Sequence, residues 1–222
     1  MDAIKTSTLQ AADNDWLLDF DEIGYKMESD VIPSYLLHDA IRFLIKNFKG
    51  TRNSDGNMCK DLDASYANFK KQQNVDDKLF NSYLREELHS KEFYNIIFAP
   101  RLLARLRSIL KTKSLTLYPV YMLRTQEIGE KTVEWHQDPI YTQHLNPYLL
   151  PSDINVLSER IVNVWIPLCD VVENQAPLRV IEASHKNGIF PHTDISASSN
   201  KDHVPIFGLR NPWLSKFGLA QR

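Results

Sequence analysis

Residues 161–168 read IVNVWIPL and carry the clearest strand pattern in the chain. Val162, Val164, Ile166 and Leu168 fall on one face of an extended segment, and Ile161, Asn163 and Trp165 on the other, which is the two-residue period of a β-strand. Leu178–Ile181 repeats the pattern over a shorter span and closes at a small polar turn around Ser184. Upstream, Leu115, Leu117, Pro119, Tyr121 and Leu123 alternate with Thr116, Tyr118, Val120 and Met122, a strand whose proline suits an edge or a bulge. From about residue 113 onward the periodicity is therefore that of short strands.

Before residue 113 the period is helical. Leu36, Leu37, Ala40, Ile41, Leu44, Ile45 and Phe48 line one face of a helix over 34–49, opened by Pro33 and Ser34 and closed by Gly50. Thr51–Cys59 reads as a loop. A second helical region carries Leu79, Phe80, Tyr83, Leu84 and Leu88, and Pro100 starts a third helix with Leu102, Leu103, Leu106, Ile109 and Leu110. Helices followed by a run of short strands predict an α+β chain, mainly β, with the helices packed outside the sheet. The chain is read as a single domain, helical over about 15–112.

Composition narrows the functional classes. The chain has 222 residues, 43% hydrophobic and 24% charged, with a formal net charge of −2. A folded chain of this mass buries about 72% of its unfolded surface, enough for a core without structural zinc or disulfides. The near-neutral balance gives no electrostatic reason to expect nucleic acid or an anionic membrane as partner. Only 7 glycines are present, and no Gly-rich phosphate loop occurs among them. Cys59 and Cys169 lie far apart in no C-x-x-C pattern, so reduced cysteines and a cytoplasmic location are expected. The N-terminus lacks the apolar stretch of a signal peptide, and no apolar run reaches bilayer length.

Chemistry enters at Val133-Glu134-Trp135-His136-Gln137-Asp138. In an extended segment, residues i and i+2 project from the same face, so His136 and Asp138 offer an imidazole nitrogen and a carboxylate oxygen to one metal ion. These are two members of a 2-His-1-carboxylate face, which leaves open positions on iron(II). His-x-Asp alone is a weak signal, because short motifs of this kind recur by chance on surface turns.

Its surroundings add to it. Trp135 to Asp138 is followed by Trp165 to Leu168, then Ala176, Pro177, Leu178, Arg179 and Val180, then Ser184, His185 and Lys186, with Phe20-Asp21-Glu22-Ile23-Gly24-Tyr25 at the front. In this order the blocks resemble the phytanoyl-CoA dioxygenase-like family over roughly residues 20–190. The resemblance implies a double-stranded β-helix (jelly-roll) core and an Fe(II)- and 2-oxoglutarate-dependent oxygenase. Such enzymes couple decarboxylation of 2-oxoglutarate by O₂ to oxidation of an unactivated C–H bond. It further implies that His136 and Asp138 bind iron, and that Gln137 and Trp165 line the co-substrate pocket with Tyr121 beside them. A carboxylate at Asp138 favours hydroxylation over halogenation, since halogenating relatives carry a small residue there.

The family's third iron ligand, a histidine, and the arginine that pairs with 2-oxoglutarate normally lie about 40 residues beyond Ser184-His185-Lys186. His192 and His203 with Arg210 or Arg222 are the alternatives within the sequence, but both histidines sit in loop-like composition. The C-terminal strands are accordingly expected to be missing. Tyr141–Asn155, directly after the iron motif, is expected to form a lid or substrate wall. Two functions remain open: a dioxygenase hydroxylating a small organic substrate, as monomer or homodimer, and a catalytically silent jelly-roll binding protein.

Overall fold

The computed structural model describes residues 20–48, 56–118, 121–125, 134–141, 161–172, 175, 177–194 and 207–209. The chain divides into two compact units. One comprises Met27–Ile128 with Val164–Pro177, and the other Met1–Lys26, Gly129–Asn163 and Leu178–Arg222.

The helical unit is built from α1 (Ser34–Asn47), α2 (Met58–Gln73), α3 (Asp77–Glu87), α4 (Lys91–Ile97) and α5 (Pro100–Ile109). The expected face of α1 is the one it buries: Leu36, Ala40, Ile41, Leu44 and Ile45. The expected loop before the second helical region ends earlier than Cys59, because Asn57 caps α2 through its side-chain oxygen, which accepts from the Lys60 N–H at 3.1 Å. Asn74 ends α2 in the left-handed conformation. Asp76 caps α3 by accepting from the Leu79 N–H at 2.8 Å. Pro100 occupies the first turn of α5, where its missing N–H costs nothing.

Phe48, at the end of α1, is the centre of the packing. Its ring meets Tyr66, Phe69 and Phe80 at centroid distances of 5.1, 4.8 and 5.5 Å, two of them edge-on. Edge-on aromatic contacts add about 0.5–1.5 kcal/mol each to burial. Against this core pack Tyr121, Leu123, Ile166 and Leu168, alternate residues of the two segments expected as strands. Among the described residues those segments carry no ladder, and the exposed Val164 shows that only part of the expected apolar face is covered.

Cys59 and Cys169 are joined by a disulfide, with Cα atoms 5.8 Å apart. This corrects the expectation of reduced cysteines. A separation of 110 positions says nothing about distance once Ile166, Leu168 and Cys169 pack on the helical core that includes Cys59. In the chain-entropy account, closing a loop of that length stabilises by about 4–5 kcal/mol.

The second unit holds the one ladder among the described residues. Strands β1 (His192–Asp194) and β2 (Phe207–Leu209) run antiparallel, with His192 opposite Leu209. Residues 20–25 dock on the turn at 182–186. The Ala183 N–H donates to the Ile23 carbonyl at 2.7 Å, His185 Nε2 lies 3.0 Å from the Asp21 carbonyl, and Lys186 pairs with Glu22. Gly24 has φ +89°, and a Cβ there would lie 2.3 Å from His185 Nδ1. Glycine is required twice over, by backbone conformation and by the imidazole above it.

Two outcomes follow. Thiol titration of the denatured, unreduced chain should find no free cysteine, and two after reduction; two without reduction would refute the bond. Gly24→Ala should lower stability by more than the about 1–2 kcal/mol of the backbone term, whereas Gly56→Ala, at φ +71° with open space around it, should lose that term alone. Denaturant midpoints of the two variants make the comparison.

Candidate metal centre

The structure brings His136, Gln137 and Asp138 together within the second unit and divides their side chains between two tasks. His136 Nδ1 lies 2.7 Å from the Glu134 carbonyl, which has no proton, so Nδ1–H is the donor. In the neutral ring the Nε2 lone pair then faces Asp138 Oδ1 at 3.1 Å. Two electron-rich atoms at that distance repel unless a proton or a metal cation lies between them. Adjacent donors in an octahedron with bonds of about 2.1 Å are roughly 3 Å apart, so the pair fits the bite of one divalent ion. Asn163 Nδ2 donates to the other carboxylate oxygen, Oδ2, and thereby fixes which oxygen turns to His136. The Tyr141 ring meets the His136 imidazole edge-on, 5.6 Å between centroids and 89° between planes.

Gln137 points the other way. Its amide Nε2 donates to the Gly188 carbonyl at 2.9 Å and its Oε1 accepts from the Phe190 N–H at 2.7 Å. Its backbone N–H donates to His192 Nε2 at 3.0 Å, while His192 Nδ1 lies 2.7 Å from the Phe190 carbonyl. The expectation that His192 lies in a loop is therefore corrected: it opens β1, and both of its ring nitrogens are engaged. A composition of Pro, Thr and Asp concealed a strand whose partner lies at 207–209.

Trp165 belongs to the helical unit and is half exposed. Tyr121 is in the same unit, where its hydroxyl lies 3.1 Å from His89 Nδ1, with Tyr94 OH 3.2 Å from the same atom. His185 holds the 20–25 segment. His203, Arg210, Arg222 and all of the expected lid beyond Tyr141 lie outside the described residues. Among the described residues no group of three or more His, Cys, Asp or Glu is arranged to hold a metal, so His136 and Asp138 make up two donors of a set. Asn163, on the face it shares with Trp165, reads from sequence as a polar residue in need of a partner, either co-substrate or substrate; the structure gives it Asp138. Its polar side chain on a strand of apolar residues was the signal.

The model for the family described as phytanoyl-CoA dioxygenase matches residues 39–205, about three quarters of the chain. The chain belongs to the phytanoyl-CoA dioxygenase family. Its members are in general Fe(II)- and 2-oxoglutarate-dependent oxygenases, which agrees with the donor types at 136 and 138. No curated protein and no solved structure matches the chain. Among the described residues no helix of this family member is long and apolar enough to cross a membrane.

Burial pushes the His192 imidazole below the ordinary histidine value; the Phe190 carbonyl opposes this shift and the nearby His136 adds to it. With the folded value depressed, the unfolded chain binds the proton first as pH falls. The contribution to stability is thus full above about 6.5 and is lost as pH drops below it. Unfolding midpoints measured from pH 8 to 5 should fall in the wild type and fall less steeply in His192→Phe. Equal slopes would contradict this assignment.

Proposed function

We propose that the chain is a non-haem Fe(II)- and 2-oxoglutarate-dependent dioxygenase that hydroxylates a small organic substrate on a jelly-roll core. The observation that carries this reading is the 3.1 Å approach of His136 Nε2 to Asp138 Oδ1, with Nδ1 tied to the Glu134 carbonyl. Family membership supplies the identity of the metal and co-substrate. When bound, iron would supply the redox chemistry that couples 2-oxoglutarate and O₂ to oxidation of a C–H bond.

The chain's own residues have separate tasks in this account. His136 presents a lone pair whose direction is fixed by the Nδ1–H bond to residue 134. Asp138 presents one oxygen because Asn163 occupies the other. The Tyr141 ring lies edge-on to the imidazole and limits the freedom of His136 to rotate. The carboxylate at 138 supports hydroxylation as the outcome. The third donor and the arginine for 2-oxoglutarate come from outside the described residues. The Cys59–Cys169 bond weighs against the cytoplasmic location expected from sequence, because cytosolic thiols are kept reduced.

The test is succinate formation from 2-oxoglutarate with Fe(II) and O₂, comparing wild type with His136→Ala. Wild type should form succinate even without its proper substrate, slowly, and the variant should form none above the protein-free rate. Equal rates for both, or none for an iron-loaded wild type across varied substrates, would favour the silent binding protein.

A further inference from the structure

Three hydrogen bonds tie residue 137 to residues 188–192, about fifty positions away, and a fourth, between His192 and Phe190, joins them into one directional circuit. The Gln137 N–H donates to His192 Nε2. His192 Nδ1–H donates to the Phe190 carbonyl, Phe190 N–H donates to Gln137 Oε1, and Gln137 Nε2 donates to the Gly188 carbonyl. Every donor in this circuit meets an acceptor only if His192 is the Nδ1–H tautomer and the Gln137 amide has its stated orientation. Phe190, whose backbone supplies two of the partners, is itself buried at 5% exposure. The residue between the two metal donors is thus fixed through both its backbone and its side chain to a buried strand entrance.

We infer that Gln137 and His192 are positioning residues that set the separation of His136 Nε2 and Asp138 Oδ1, and that His192 is not itself a metal ligand. A rotation of the backbone at 137 moves its two neighbours in opposite senses, so holding that one residue holds the bite. His192 can turn a nitrogen to a metal only by releasing Gln137 or Phe190, which would loosen the pair it was joining. Partners of this kind typically change metal affinity about 10- to 100-fold without changing the ligands. The inference rests on the metal reading above.

The test uses Co(II) as probe on the full chain, with affinity and visible absorption measured for wild type, Gln137→Glu and His192→Phe. Gln137→Glu keeps the shape of the side chain but sets a carboxylate oxygen against the Gly188 carbonyl. Circular dichroism and thermal unfolding establish that each variant is folded. Both variants should bind Co(II) about 10- to 100-fold more weakly while keeping the wild-type absorption bands. Long-range ¹H–¹⁵N spectra of the metal-free wild type should show His192 as the Nδ1–H tautomer. Unchanged affinity in both folded variants, or the opposite tautomer, overturns the positioning role alone. Altered bands in His192→Phe would make His192 a ligand and overturn it as well. Absence of Co(II) binding by wild type would instead overturn the metal reading, and the positioning role with it. Affinity that falls only in proportion to lost folded protein would reduce the circuit to a purely structural role.

Discussion

The candidate site depends on the fixation of Gln137. Three bonds from this residue, two through the side-chain amide and one through the backbone N–H, attach it to Gly188, Phe190 and His192. Its neighbours His136 and Asp138 then face each other at 3.1 Å. The turn that starts here, with the Ile140 and Tyr141 N–H groups donating to the Gln137 and Asp138 carbonyls, replaces the expected strand. One residue type serves the scaffold and two serve the chemistry, within three consecutive positions. Removing the central residue's bonds would leave the donors present but free to drift, a change to which metal affinity is sensitive.

The helical unit depends on a different constraint, the aromatic cluster around Phe48. Phe48, which caps the end of α1, meets rings from α2 and α3, and the alternate residues Tyr121, Leu123, Ile166 and Leu168 are packed against the core it belongs to. The Cys59–Cys169 bond ties α2 to the 164–172 segment within the same unit. The unit is stabilised by burial first and by a covalent cross-link second.

Much of this was legible in the sequence, because it rests on local patterns. The buried face of α1 follows from spacing at 3.6 residues and the start of α5 from Pro100; His136 and Asp138 do face each other, but across a turn that begins at Asp138 rather than along the expected strand. What escaped was long-range. Asn163 reads as a polar residue in need of a partner, but only the fold reveals that the partner is Asp138. Gly24 and His185 are 161 positions apart, and their contact accounts for a glycine at one and a histidine at the other. His192 looked like part of a loop because strand pairing with 207–209 leaves no mark in its immediate neighbours. The cysteine bond was misjudged for the same reason, since spacing along the chain carries no information about proximity.

The central claim is that His136 and Asp138 bind one metal ion together, and pulsed electron paramagnetic resonance with bound Mn(II) tests it most directly. The account predicts nitrogen modulation from a coordinated imidazole, which shifts when the protein is labelled with ¹⁵N-histidine and loses the His136 contribution in His136→Ala. Modulation unchanged in His136→Ala, or Mn(II) with no nitrogen in its coordination shell, would contradict it.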